Sequence, residues 1–241
     1  VSILSVSDLH LGSETTERNE LFLSLLNHAK AQKLEVVVVG DLFELWFGWE
    51  DLTFEYQKPI LRRMKELASD GLRINYIEGN RDYGIERYHG QIFASVSATG
   101  FELQCGLRRV YFEHGDWINR QDRWYRMWRR ISKNTASFWL LGHLPSAFLL
   151  RLAQRTERGM RQTNLKYKIR YPDLEVDRFC REKMAAGFNI IVFGHFHEGK
   201  EFVLEEPAGN VLCYNLPGWE KGLRYLVIPE DGKPVFEEIR G

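Results

Sequence analysis

Glu35-Val36-Val37-Val38-Val39-Gly40-Asp41 is the stretch on which the fold turns. Four consecutive valines without polar alternation predict a β-strand covered on both faces, since a half-exposed strand would alternate. Gly40 and Asp41 then place a carboxylate at its C-terminal end. Upstream, Ile3 to Val6 predicts another buried strand, followed after Ser7 by Asp8-Leu9-His10. Residues from about Arg18 to Ala31 carry Leu21, Leu25 and His28 at helical spacing, with Phe22 and Leu26 widening the stripe, and predict the helix that returns the chain. Downstream, a helix is expected over about Gln57 to Ala68. A strand over Leu72 to Ile77 follows, leading into Gly79-Asn80-Arg81-Asp82. This βαβαβ order implies a mainly parallel sheet with helices on its faces.

Two more strands end in polar motifs: Val110 to Glu113 before His114-Gly115-Asp116, and Asn189 to Phe193 before Gly194-His195-Phe196-His197. Between them, helical patterning is expected around Asp122 to Ile131, Pro145 to Arg161 and Leu174 to Ala186. Short runs at Lys200 to Leu204, Val211 to Asn215, Tyr225 to Ile228 and Val235 to Ile239 predict an antiparallel tail.

The 241 residues, 44% of them apolar, suffice for one large core with an insertion. Formal net charge is zero, yet residues 117–172 carry thirteen Lys and Arg against Asp122 and Glu157, together with four of the seven tryptophans. Such a segment suits an anionic substrate, a membrane surface or nucleic acid, or is a solvated basic helix surface. We read it as a helical cap inserted into a core formed by 1–116 and 173–241. Its most apolar stretch, Phe138 to Leu152, is broken by Gly142, His143 and Pro145 and falls short of the roughly 20 residues a membrane span needs. Cys105, Cys180 and Cys213 lack zinc or redox spacing, which points to a reducing compartment. No signal peptide is recognisable, and opening on a strand at Val1 suits a chain missing an initiator or processed leader.

Five predicted strands thus end in residues able to bind metal. Ligands collect in the crevice beyond the C-terminal ends of such strands. Mixed oxygen and imidazole donors suit Mn, Fe, Zn or Co better than Ca. Residues two apart on an extended strand share a side, so both members of Asp8/His10 or His195/His197 are expected to reach one site. A single such His or Asp is ordinarily structural; five together at strand ends are a site.

The order D-x-H, G-D, G-N-x-D, H-G-D, G-H-x-H resembles that of calcineurin-like metallophosphoesterases, from residue 8 to residue 197. The resemblance implies an α/β sandwich in α-β-β-α layers holding two divalent ions, Mn²⁺ foremost with Fe, Zn or Co as alternatives. It places Asp8, His10, Asp41 and His197 on one ion and Asp41, Asn80, His114 and His195 on the other. Two ions roughly 3.5–4 Å apart can share a hydroxide for in-line attack on phosphorus. Asn80, Arg81, His114 and His195 are the implied catalytic residues.

Arg81 stands where many members have a histidine. Its pKa, above about 12, prevents useful proton donation, while its fork suits phosphate oxygens, so the site is expected to favour a phosphoanhydride. Gly40-Asp41-Leu42-Phe43-Glu44-Leu45-Trp46-Phe47-Gly48, the His114-Gly115-Asp116 motif with Asp122 and Tyr125, and the basic cap look like the branch that splits UDP-2,3-diacylglucosamine into UMP and 2,3-diacylglucosamine 1-phosphate (lipid X) in lipid A biosynthesis. That implies a lipid-linked UDP-sugar substrate contacted by Asn80, Arg81, Asp122, Tyr125, Asn164, Lys166 and His195. Apolar cap residues such as Phe138, Leu140, Leu141, Phe148, Leu149 and Leu152 would line an acyl slot or pack the cap onto the core. It also implies a cytoplasmic enzyme, peripheral on the anionic inner face of the inner membrane, with no nucleic acid and no obligate protein partner. Asp122 reads equally as a helix N-cap or an Arg partner, and Trp46 as core rather than a stacking platform. His195-Phe196-His197-Glu198-Gly199-Lys200 departs from that branch, which has Thr between the histidines and Arg-Pro after them. Hydrolysis of another phosphoester, a non-catalytic scaffold and a nuclease are the rival readings.

Overall fold

The valine run divides its side chains between two cores. The computed structural model describes residues 1–134, 148–149, 151–157, 171–205, 209–220 and 222–239. Strands β1 (Ile3–Val6) and β2 (Glu35–Val39) pair in parallel, Ile3 opposite Glu35 and Val6 opposite Val38. Val36 and Val38 join the core that contains Phe22, Leu25 and Leu26 of helix α1 (Thr16–Ala31) and Ile60 and Met64 of helix α2 (Gln57–Ser69). Val37 and Val39 point the other way, into a core with Val110, Phe112, Ile190 and Val192. All four valines are fully buried, which contributes roughly 1.5–3 kcal/mol each.

That second core corrects the expectation of helices on both faces of the first sheet. Its far side is a second sheet. Strands β3 (Trp46–Phe47) and β5 (Asp82–Tyr83) form a small parallel pair of their own. The six-stranded sheet also holds β4 (Ile74–Ile77), β6 (Ser95–Ser97), β12 (Arg224–Ile228) and β13 (Val235–Glu238), in the order β13-β12-β1-β2-β4-β6. The five-stranded sheet contains β7 (Gly100–Cys105), β8 (Arg108–Glu113), β9 (Ile190–Phe193), β10 (Glu201–Leu204) and β11 (Val211–Asn215), in the order β10-β11-β9-β8-β7. Helix α3 spans Arg123–Ser132, and the outer face of this sheet packs Ile191 and Phe193 on Val176, Phe179 and Cys180 of helix α4 (Asp173–Ala185). The layers therefore run α-β-β-α.

The helical stripe of α1 is rotated from the expected one. Phe22, Leu25, Leu26 and Ala29 are buried, whereas Leu21 is half-buried and His28 exposed. The tail is antiparallel at β10/β11 and β12/β13, but β11 joins β9 in parallel. Trp46 is fully buried, edge-on to Phe43 and Tyr76, as a core residue. Among the described residues, no helix is long and apolar enough to cross a membrane.

Within the basic segment, α3 is tied to the core rather than merely solvated. Arg129 is buried, ion-paired to Asp116 and lies 4.9 Å over the Trp117 ring. Farther on, Ala153 is buried against Leu45, Phe54 and Tyr83, and Tyr56 donates to Glu157 at 2.7 Å. Phe148 and Leu152 are exposed and Leu149 is half-buried. Phe138, Leu140 and Leu141 lie outside the described residues.

Candidate active site

Strands β1, β2 and β4 of one sheet and β8 and β9 of the other end at the same crevice. What arrives there does not arrive in extended conformation. Asp8 (φ 52°), His10 (φ 47°), Asp41 (φ 52°), His195 (φ 69°) and His197 (φ 58°) all sit in the left-handed region. Non-glycine residues rarely adopt it, and such strain concentrates where surrounding structure enforces it for function. The D-x-H and H-x-H pairs therefore work through turns past the strand ends, which corrects the expected strand-face argument. His195 and His197 consequently part company.

His197 Nε2 lies 3.0 Å from Asp8 Oδ1, and its ring centroid is 5.3 Å from that of His10. His195 Nδ1 lies 3.1 Å from Asn80 Oδ1, which is also 3.1 Å from His114 Nε2. His114 Nδ1 stands 2.8 Å from the Val39 carbonyl. A carbonyl can only accept, so Nδ1 carries a proton. Nε2 also faces an acceptor, the Asn80 amide oxygen, and against burial the Asp41, Asp8 and Asp116 charges raise the ring's pKa, so a metal ion would take the place of the Nε2 proton. Two groups of donor atoms gather within 4.8 Å of one another: Asp8, His10 and His197, and Asp8, Asp41 and His114. All seven residues expected to bind metal thus lie together.

Divalent ions fit this cluster. His10 is 1% exposed, and neither ring nitrogen has a hydrogen-bond partner among the described residues; Asp8 Oδ1 is 4.0 Å from Nε2. An orphaned buried imidazole is costly unless something else takes its lone pair. Burial, then the Arg81 charge, hold His10 well below the usual histidine range. Burial and then His114 lower His195 to about 4. Both rings are therefore neutral near pH 7, the form that ligates. Burial alone would raise the Asp8 carboxyl, but the charge and hydrogen bond of His197, with His114 and His10, hold it well below its usual range. Asp41 moves the other way, raised by burial and then by Asp8 against the lowering charges of His114 and Arg81.

Behind the cluster stands Asp82, a role that sequence spacing did not reveal. Its Oδ2 accepts from the Asp41 N–H at 2.8 Å, the Gly79 N–H at 2.8 Å and the Tyr76 hydroxyl at 2.9 Å. Burial and then the Asp41 charge push its carboxyl up to about 7. Asp82 fixes the two turns that present Asp41 and Asn80. Asp82→Asn is expected to destabilise the fold by about 1 kcal/mol and to weaken Mn²⁺ binding roughly 10–100-fold. Titration calorimetry finding wild-type affinity would remove that role.

Arg81, buried, donates to Glu44 and stands near Asp41. Lys133 donates to the Gly79 carbonyl at 2.6 Å, so the end of α3 touches the turn before Asn80. Asp122 directly precedes α3, and its carbonyl accepts the Arg126 N–H at 3.1 Å, the place of a helix N-cap; its side chain is exposed. The side chain of Tyr125, and Asn164 and Lys166 altogether, lie outside the described residues.

Residues 1–199 match the family of calcineurin-like phosphoesterases. A curated relative from Pseudomonas putida, UDP-2,3-diacylglucosamine hydrolase, is 30% identical over 95% of this chain and 96% of its own length. The Pseudomonas aeruginosa protein of that name is 29% identical over 91% of this chain and 93% of its own. A solved structure, described as a novel archaeal phosphodiesterase, is 10% identical and covers 98% of this chain and 100% of that one with a TM-score of 0.50, a likeness of fold alone. With five strand ends bringing candidate metal ligands together in an α-β-β-α sandwich, the chain belongs to the calcineurin-like phosphoesterase family.

Proposed function

We propose that this protein hydrolyses the pyrophosphate of UDP-2,3-diacylglucosamine to UMP and 2,3-diacylglucosamine 1-phosphate. The observation that carries the reading is the near full-length likeness to hydrolases of that name, which extends across the basic segment as well as the core. In this reading Asp8, His10, Asp41 and His197 hold one divalent ion and Asp41, Asn80, His114 and His195 the other, with Mn²⁺ the expected metal. Bound ions there supply Lewis acidity and an activated water for phosphoryl transfer.

The chain's own residues do the rest. His114, its Nδ1 proton committed to Val39, offers Nε2; Asn80 turns its amide oxygen between His114 and His195. Arg81 meets phosphate as a fixed cation without giving up a proton, which suits a phosphate leaving group. Residues 117–172 act as the cap over 1–116 and 173–241. Cap cations serve the anionic headgroup and membrane surface, and apolar cap residues serve the acyl chains. Asp122, Tyr125, Asn164 and Lys166 complete the proposed substrate contacts. The site of action would be the cytoplasmic face of the inner membrane.

The test is Mn²⁺-dependent UMP release from UDP-2,3-diacylglucosamine beside UDP-N-acetylglucosamine and p-nitrophenyl phosphate, with Asp41→Ala as the blank. Holding three or four methylenes, at about 0.8 kcal/mol each, gives roughly 100-fold preference for the lipid. Equal turnover of the unacylated sugar would leave a phosphoesterase without the lipid assignment.

A further inference from the structure

Glu44 is a buried charge within the Gly40–Gly48 motif to which the reading above gives no work. It is 7% exposed and lies three residues after Asp41. Its Oε2 accepts from Arg81 Nη1 at 2.6 Å, and its main-chain carbonyl stands 3.3 Å from the same nitrogen. Its own N–H donates to the Leu11 carbonyl at 3.1 Å, so its backbone is anchored to the segment just past His10. Arg81 is anchored as firmly: its N–H donates to Asp41 Oδ1 at 2.9 Å, and its carbonyl accepts the Trp46 N–H at 2.9 Å, beside the β3/β5 pair. The guanidinium is thus gripped at its head by Glu44 and at its root by the Asp41 turn.

The head needs that grip because of what lies on its other side. Arg81 Nε is 3.6 Å from Asp41 Oδ2, the carboxylate expected to serve both cations. Released from Glu44, the guanidinium could close the 3.6 Å gap, fork onto Asp41 and compete with metal ions for its oxygens. Glu44 supplies a close competing acceptor and balances the charge.

We propose that Glu44 is the positioning residue for Arg81, holding its guanidinium off Asp41 and in register to meet a phosphoryl oxygen of the phosphoanhydride. The inference rests on the functional reading above for its substrate, though its geometry stands without it. It gives the motif a physical sense: positions i and i+3 address the same arginine, one at its backbone and one at its head.

The experiment is a double-mutant cycle of Glu44→Gln and Arg81→Met in the full chain with Mn²⁺. Turnover is followed on UDP-2,3-diacylglucosamine and on bis-p-nitrophenyl phosphate, with the melting temperature of each variant. Glu44→Gln is expected to lower kcat about 10²-fold, with KM changed little, the scale of a mispositioned catalytic contact. Arg81→Met is expected to lose a similar factor. The double variant should recover melting temperature, since both buried charges are gone, yet stay as slow as Arg81→Met alone. Recovery of activity with stability in the double variant would show Glu44 to be only a structural counter-charge and overturn the proposal. Multiplying effects, or unchanged kcat in Glu44→Gln, would overturn it too. Should the wild type turn over the phosphodiester but not the UDP-lipid, the substrate reading fails, and the cycle on the phosphodiester still decides the role of Glu44.

Discussion

His10→Ala is expected to abolish Mn²⁺-dependent phosphoester hydrolysis, a loss on the order of 10³-fold or more, while barely changing the stability of the metal-free protein. The two halves of that result come from one observation: the ring is buried, and neither nitrogen has a hydrogen-bond partner among the described residues. Deleting a buried polar side chain normally leaves its partner stranded, at about 1–3 kcal/mol. Here no hydrogen bond is broken. The lost packing of the ring, on the order of 1–2 kcal/mol, is offset by removing two unsatisfied nitrogens. With metal the balance changes. A ligand bound to the native state alone stabilises it by about 2.7 kcal/mol at 100 times its Kd. The wild type should gain such a shift on titration with Mn²⁺ and the variant should lose most of it. Thermal melts of both proteins, with chelator and across a Mn²⁺ series, check this. A variant that melts far below the wild type in chelator, yet responds equally to Mn²⁺, would make His10 a structural residue.

The same residue marks how far the sequence could be read. Asp8-Leu9-His10 and the other polar motifs follow apolar runs, so their place at strand ends was legible from chain order alone. Legible too was the burial of Val36 to Val39 on both sides, because periodicity reports burial. It does not report what does the burying. A second sheet and a helix leave the same apolar imprint, so the valine run alone does not tell which of them covers Val37 and Val39; the family resemblance, with its α-β-β-α layers, does. β7 escaped for the opposite reason: Glu102 and Gln104 alternate with Phe101 and Leu103 in a strand with partly exposed faces, bordered by no motif. Backbone hand was equally out of reach. The left-handed turns at His195 and His197 send neighbouring ligands toward different partners, and nothing in H-x-H spacing encodes a positive φ at a histidine. Asp82 and Glu44 were quoted within their motifs yet given no role, because their partners, the Gly79 N–H and the Arg81 head among them, are fixed by folding rather than by spacing. Buried acids beside a metal motif are the signal that would have found them.

Gly40→Ala should cost about 2–5 kcal/mol of stability, with activity falling alongside. Two effects add. Gly40 has φ 81°, a conformation that disfavours a Cβ by about 1–2 kcal/mol. A Cβ there would also press on His114 Nδ1 and stand 2.7 Å from Gly79 Cα and 2.8 Å from Gly79 N. Those are backbone atoms of the neighbouring ligand turn, unable to swing aside like a side-chain tip, and overpacking of this kind costs about 1–3 kcal/mol. Relief requires β2 and β4 to part at their ends. That would carry Asp41 away from Asn80 and stretch the His114–Val39 hydrogen bond that fixes the imidazole tautomer. Gly71 provides the control. Its φ is 95°, but nothing lies within 4 Å of a Cβ placed there, so Gly71→Ala should show the conformational part alone, about 1–2 kcal/mol, and full activity. Denaturant unfolding of the two variants, read beside Mn²⁺-dependent turnover, separates the terms. Equal destabilisation would mean that strand closeness at Gly40 contributes nothing. A Gly40→Ala enzyme of wild-type activity would show that the distance between the Asp41 and Asn80 turns does not matter to catalysis.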